Sequence, residues 1–163
     1  MLAKKVKIAL LIAAAALVSS ASFVGVGTAG AAVPTFDAKL LGPVHIDGDD
    51  PSVAHVRGKY VCDNVESAQW HLWVSLKQNA DATQDPLLEQ EGSSAVATTW
   101  VQSHPVDFVC DGRQHVQSFT IDTLEQGFGE AIKGEGWVQF CLIDFADESF
   151  ERAAIIQEWR SVN

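Results

Sequence analysis

Ala54-His55-Val56-Arg57-Gly58-Lys59-Tyr60-Val61-Cys62 places apolar or small residues at every even position and puts His55, Arg57 and Lys59 between them. A period of two is that of a strand with one buried face, because successive side chains leave a pleated backbone on opposite sides. The alternation returns in Trp70, Leu72, Val74 and Leu76, set against Gln69, His71, Ser75 and Lys77. Shorter runs at 39–46, 106–110, 116–121, 137–143 and 153–159 extend the pattern, and one more strand around 95–101 could cross between sheets. Helical periodicity is hard to find. Asp47-Gly48-Asp49-Asp50-Pro51, Cys110-Asp111-Gly112 and Glu125-Gln126-Gly127 supply turn chemistry between the runs. The expected fold is therefore all-β, an antiparallel β-sandwich of about 7–8 short strands.

The N-terminal region has a different character. Lys4, Lys5 and Lys7 precede an apolar run at 8–18, and the region closes on the small residues Ala29-Gly30-Ala31-Ala32. This three-part layout predicts a cleavable secretory signal peptide over 1–32, leaving a single β-domain over 33–163. The unbroken apolar run is 11 residues long, against the roughly 20 that span a bilayer. A secreted, extracellular protein with no stable membrane insertion after signal cleavage is the expectation.

The signal region holds three of the 11 basic residues and none of the 21 acidic ones, so the mature domain carries eight Lys and Arg against 21 Asp and Glu, a formal net charge of −13. Nucleic-acid affinity rests on Lys and Arg displacing phosphate counterions. The charge thus disfavours nucleic acid and anionic membrane as partners, and suits solubility outside the cell or steering of a cationic ligand.

Three cysteines, Cys62, Cys110 and Cys141, allow one disulfide. Tyr60-Val61-Cys62-Asp63-Asn64 and Phe108-Val109-Cys110-Asp111-Gly112 share the order aromatic, Val, Cys, Asp, turn residue. Two such strand ends lying side by side would join Cys62 to Cys110, and Cys141 is then expected to remain a buried thiol.

Gly58-Lys59-Tyr60-Val61-Cys62 followed by Val109-Cys110-Asp111-Gly112-Arg113-Gln114-His115 resembles the pattern of small, uncharacterised, exported Ig-like β-sandwich proteins of actinomycetes. The likeness covers most of the mature chain in layout and these two motifs in residues. It implies an Ig-like sandwich and an exported protein, and no defined activity. Antibody-type domains match less well, since Phe108 stands where a tyrosine corner needs a hydroxyl and about three strands follow Cys110.

No catalytic signature is present: there is no G-x-S-x-G elbow, H-E-x-x-H, C-x-x-C or P-loop. No catalytic residue, metal ligand or cofactor is assigned. His45, His55 and His71 fall among strand residues and read as ordinary histidines, whereas His115 is placed to hydrogen-bond the Cys110-Asp111-Gly112 turn and orient it. Asp47, Asp49 and Asp50 have the carboxylate density of a calcium loop, but the spacing departs from an EF-hand and reads as a turn. A second cluster, Asp144, Asp147, Glu148 and Glu151, reads as a solvated loop.

The tryptophans are the better functional clue. Trp70 shares the apolar phase of its strand and is expected in the core. Trp73 shares the opposite phase with His71, Ser75 and Lys77, which makes these four residues a candidate binding face with Trp73 as its anchor. The competing reading is that 79–102 covers this face. The expected function is non-catalytic binding of an extracellular protein or a cell-envelope glycan. The alternatives are a small-ligand carrier resembling the acidic chromoprotein apoproteins, which differ in having four cysteines, and a secreted enzyme or enzyme inhibitor.

Overall fold

The computed structural model describes residues 35–63, 70–92, 95–144 and 152–163. The predicted signal peptide over 1–32 and the acidic residues Asp147, Glu148 and Glu151 lie outside the described residues. Among the described residues there are seven strands: β1 Thr35–Ile46, β2 Ala54–Asp63, β3 Trp70–Gln78, β4 Thr99–Gln102, β5 Gln114–Ile121, β6 Gly134–Asp144 and β7 Arg152–Val162. The helical content among the described residues is one 3-10 turn, η1, at Pro86–Glu89.

The strands hydrogen-bond in the order β4-β3-β6-β7-β1-β2-β5. Every neighbouring pair is antiparallel except β1 and β7, which run parallel with Val44 opposite Val162. The β1–β2 register shifts between Leu41 and His45. Gly42 sits there with a φ of 69°, followed by Pro43, which has no ladder donor. A glycine in the left-handed region next to proline suits a bulge that lets one strand leave β2 and reach β7.

The sheet curls over on itself. β5 and β6 stand four places apart in the strand order, which in a flat sheet would separate them by about 19 Å at ~4.8 Å per strand. Yet the rings of Phe119 on β5 and Phe140 on β6 have centroids 5.2 Å apart. The even residues of β2 therefore face Leu72, Val74 and Leu76 of β3 and Val138, Phe140 and Leu142 of β6, all buried. Gly58 is where the two halves come closest: a Cβ there would lie 3.3 Å from the Phe140 ring. The two ends of the strand order also meet, since Gln102 and Asp122 exchange backbone hydrogen bonds of 2.9 and 3.0 Å.

Cys62, near the end of β2, is bonded to Cys110 in the loop before β5, as the repeated motif predicts. The run at 106–110 departs from expectation. It forms no strand, and only Val106 bridges to Leu72. Val106, Phe108 and Cys110 do turn inward, with Phe108 buried edge-on against Tyr60 at 6.2 Å, while Val109 is exposed. The backbone is instead held by the disulfide and by the Tyr60 hydroxyl, which accepts the Val109 N–H at 3.2 Å. The additional strand expected around 95–101 forms at Thr99–Gln102 and pairs with β3.

Candidate functional site

Register decides what shares a face with Trp73. Across β3 and β6, Trp73 pairs with Cys141, Ser75 with Gln139, Lys77 with Trp137 and His71 with Ile143. Across β3 and β4, Lys77 pairs with Trp100 and Ser75 with Gln102. All of these belong to the side of the sheet away from Phe140.

This face is not open along its length. Ser75 and Lys77 are 0% exposed, which corrects the expectation that both face solvent. The strap that follows β3 lies over them. Asp85 caps η1 by accepting the Leu87 N–H at 2.9 Å, Pro86 starts its first turn, and Leu88 is fully buried. The Lys77 ammonium donates to the carbonyls of Leu88, at 3.4 Å, and Gln90. A lysine's long apolar stem lets it be buried while its head satisfies backbone oxygens. Its pKa is lowered by that burial, partly offset by the charge of Glu91. Trp159 adds a bond from its indole N–H to Glu89 at 3.2 Å and packs on Trp137 at 5.3 Å. The Ser75 hydroxyl is turned to Gln139 at 3.3 Å.

Where the strap ends, the face opens into a cleft of about 300 Å³. Trp73, Gln139, Cys141 and Ile143 line it from β3 and β6, with Trp100 and Gln102 from β4. Trp73 is half-buried and Cys141 is 1% exposed, so the cysteine lies at the base. Cys141 is outside the disulfide and buried, as expected. His71 is half-buried beyond the cleft's lining, beside Ile143 in the register. Of the four predicted face residues, Trp73 alone reaches the cleft. Trp70, expected in the core, packs partly buried against it.

No family model and no curated protein matches this chain.

The rim of the cleft carries its charge. His104 stands between two carboxylates, with Nδ1 2.9 Å from Glu125 and Nε2 3.7 Å from Asp122. Glu91 also lines the cleft, and among the described residues no Lys or Arg does. Ser103 precedes the histidine, but its hydroxyl accepts the Val74 N–H at 3.0 Å and is 6% exposed. Among the described residues no group of His, Cys, Asp and Glu has the arrangement to hold a metal ion.

Two glycines shape the wall beside Trp100. Trp100 and Phe128 exchange backbone hydrogen bonds of 2.8 and 2.9 Å. Gly127 and Gly129 flank this contact at φ 117° and 80°, and a Cβ at either would come within 2.3 Å of a carbonyl oxygen on 98–100. Only glycine allows both the left-handed backbone and the close approach.

The remaining sequence expectations resolve locally. His115 Nε2 lies 2.8 Å from Asp111 Oδ1, so the histidine does orient the turn. Asp47 accepts the N–H groups of Asp49 and Asp50, and Asp50 accepts that of Ser52, which accounts for the first acidic cluster as turn chemistry. His104, Asp122 and Glu125 had no sequence signal. His104 sits in the segment after β4, and Asp122 and Glu125 in the segment after β5.

Proposed function

We propose that this chain is an exported, non-catalytic Ig-like β-sandwich whose task is binding, and that it holds a small ligand in the cleft between Trp73 and Trp100. The observation that carries this reading is the shape of the Trp73 face. It is roofed at Ser75 and Lys77 and hollow beside Trp73, a form suited to a small molecule and poorly suited to the broad protein or glycan contact that the sequence alone favoured. A volume of about 300 Å³ falls at the small end of ligand clefts.

An Ig-like assignment is supported by the strand order, in which β1, β2 and β5 continue through β1 into β7, β6, β3 and β4. Those are the groupings of an Ig sandwich whose first strand is shared between sheets. The disulfide departs from that pattern, because it ties β2 to a loop and not to β6. Export is supported by the leader layout and by a disulfide, which persists in oxidising compartments. No helix among the described residues is long and apolar enough to cross a membrane. The likeness to exported actinomycete proteins is consistent with this reading.

The test is to express the full chain in an exporting host, recover it from the medium and screen small amphipathic molecules by thermal shift. Stabilising hits that lose their effect in Trp73→Ala and Trp100→Ala support the cleft. Hits indifferent to both tryptophans would overturn it, as would retention of the chain inside the cell overturn export.

A further inference from the structure

We propose that the cleft is selective for flat aromatic ligands that carry a positive charge, an aryl amine or iminium being the simplest class. This rests on the cleft being the binding site. Three features of the wall converge on that chemistry.

The first is aromatic. Trp73 and Trp100 line the cleft together with Ile143 and Cys141. Indole faces take planar rings by offset or edge contact and attract cations through their negative faces. The second is the charge of the lining. Glu91, Asp122 and Glu125 supply three carboxylates, and among the described residues His104 is the one basic side chain of the lining, with no Lys or Arg to hold an anion. Asp122 is 8% exposed, so its field acts at the wall with less solvent screening than that of a surface carboxylate. An anionic ligand would meet three carboxylates; the cation whose charge acts on Glu91, Lys77, is outside the lining and is held by the carbonyls of Leu88 and Gln90.

The third is a donor without use. The indole N–H of Trp100 is buried and has no acceptor among the described residues. A buried donor left unmade is costly, and a ligand bearing an oxygen or nitrogen acceptor on its ring relieves that cost. His104 completes the recognition: it already bridges Glu125 and Asp122, so it keeps the two carboxylates close and shares them with an incoming ammonium group.

Three probes of similar shape test this on the exported protein at physiological ionic strength: 9-aminoacridine as the cation, acridone as the neutral ring and 9-anthracenecarboxylate as the anion. The expected result is that 9-aminoacridine binds about tenfold or more tighter than either of the others. Glu125→Gln is expected to reduce that preference, read as the ratio of 9-aminoacridine to acridone affinity, about fivefold or more. Glu130→Gln, which removes an exposed carboxylate outside the cleft lining, is expected to leave the preference intact. Equal binding of all three probes overturns the charge selectivity and leaves the cleft standing. An equal loss in Glu130→Gln assigns the preference to net charge and also overturns it. If no probe binds, or Trp73→Ala binds all three as the native chain does, the cleft reading itself fails. Melting temperatures of the variants, measured alongside, keep loss of binding distinct from loss of fold.

Discussion

Cys62 and Cys110 bring their Cα atoms to 4.9 Å across 48 residues of chain, and the Gly112 N–H bonds the Cys62 carbonyl at 2.9 Å just beyond the bridge. The link fastens the end of β2 to the loop that feeds β5. In the chain-entropy view, closing a loop of this length restricts the unfolded chain by about 4 kcal/mol. The double variant Cys62→Ala/Cys110→Ala is expected to lose stability of that order, read as a lower urea midpoint. Reduction of the native protein should reproduce the loss. Non-reducing peptide maps that join Cys141 to either partner would contradict the pairing.

Acid should loosen the same corner. Asp111 is held below its ordinary value of 3.8 chiefly by the hydrogen bond from His115, then by the Arg113 N–H. Its unfolded form takes up a proton first as pH falls, so the stability it contributes is present above the unfolded value and is lost as pH drops through the folded one. NMR titration should find the Asp111 midpoint under 3.8, and His115→Gln should move it upward. A midpoint indifferent to His115 would place the cause elsewhere.

Lys77 predicts a dependence at the other end of the pH scale. Burial holds its ammonium below the usual 10.5. In the window between that lowered value and the unfolded one, the unfolded chain binds more protons, so stability rises with pH. Tyr60 is raised by burial and pushes the opposite way. The quantity to measure is therefore the difference in urea midpoint between the native chain and Lys77→Met, which should shift in favour of the native chain as pH climbs toward 10.5. A difference constant with pH would refute a buried, depressed lysine.

The two sides of the sheet should respond differently to truncation. Phe140 is 0% exposed and packs on Phe119 beneath Gly58, so Phe140→Ala is expected to cost about 3–5 kcal/mol in transfer and cavity terms. Trp73 is half-buried in a cleft that is already hollow, and Trp73→Ala should cost roughly 1–2 kcal/mol while weakening any ligand. Equal losses in calorimetry would mean that Trp73 is a core residue and not a cleft wall.

A tight contact gives a further check on the packing. A Cβ at Gly136 of β6 would lie 2.3 Å from a Leu76 methyl and 3.2 Å from Val162. Both neighbours are buried, so Gly136→Ala should destabilise by about 1–3 kcal/mol through overpacking. Adding Leu76→Ala should recover part of the loss if the clash is with that side chain.

The alternation of Ala54 to Cys62 and of Trp70 to Leu76 was enough by itself to place β2 and β3 and to choose their core residues, because a period of two is a local property of the pleat. The repeated aromatic-Val-Cys-Asp motif likewise made the Cys62–Cys110 bridge legible, and the His115–Asp111 bond spans only four residues. Phase also put Trp73, Ser75 and Lys77 on one face correctly. What phase cannot say is what lies over a face. That was decided by the Pro86–Glu89 turn docking on Lys77, the covering by 79–102 that stood as the competing reading, through a contact with no periodic trace. The cleft was hidden for the same reason. Its histidine and carboxylates come from loops 91–92, 103–105 and 122–126, which converge only because the curled sheet brings Gln102 and Asp122 into backbone contact, and no local pattern in the chain encodes a meeting of its two edges.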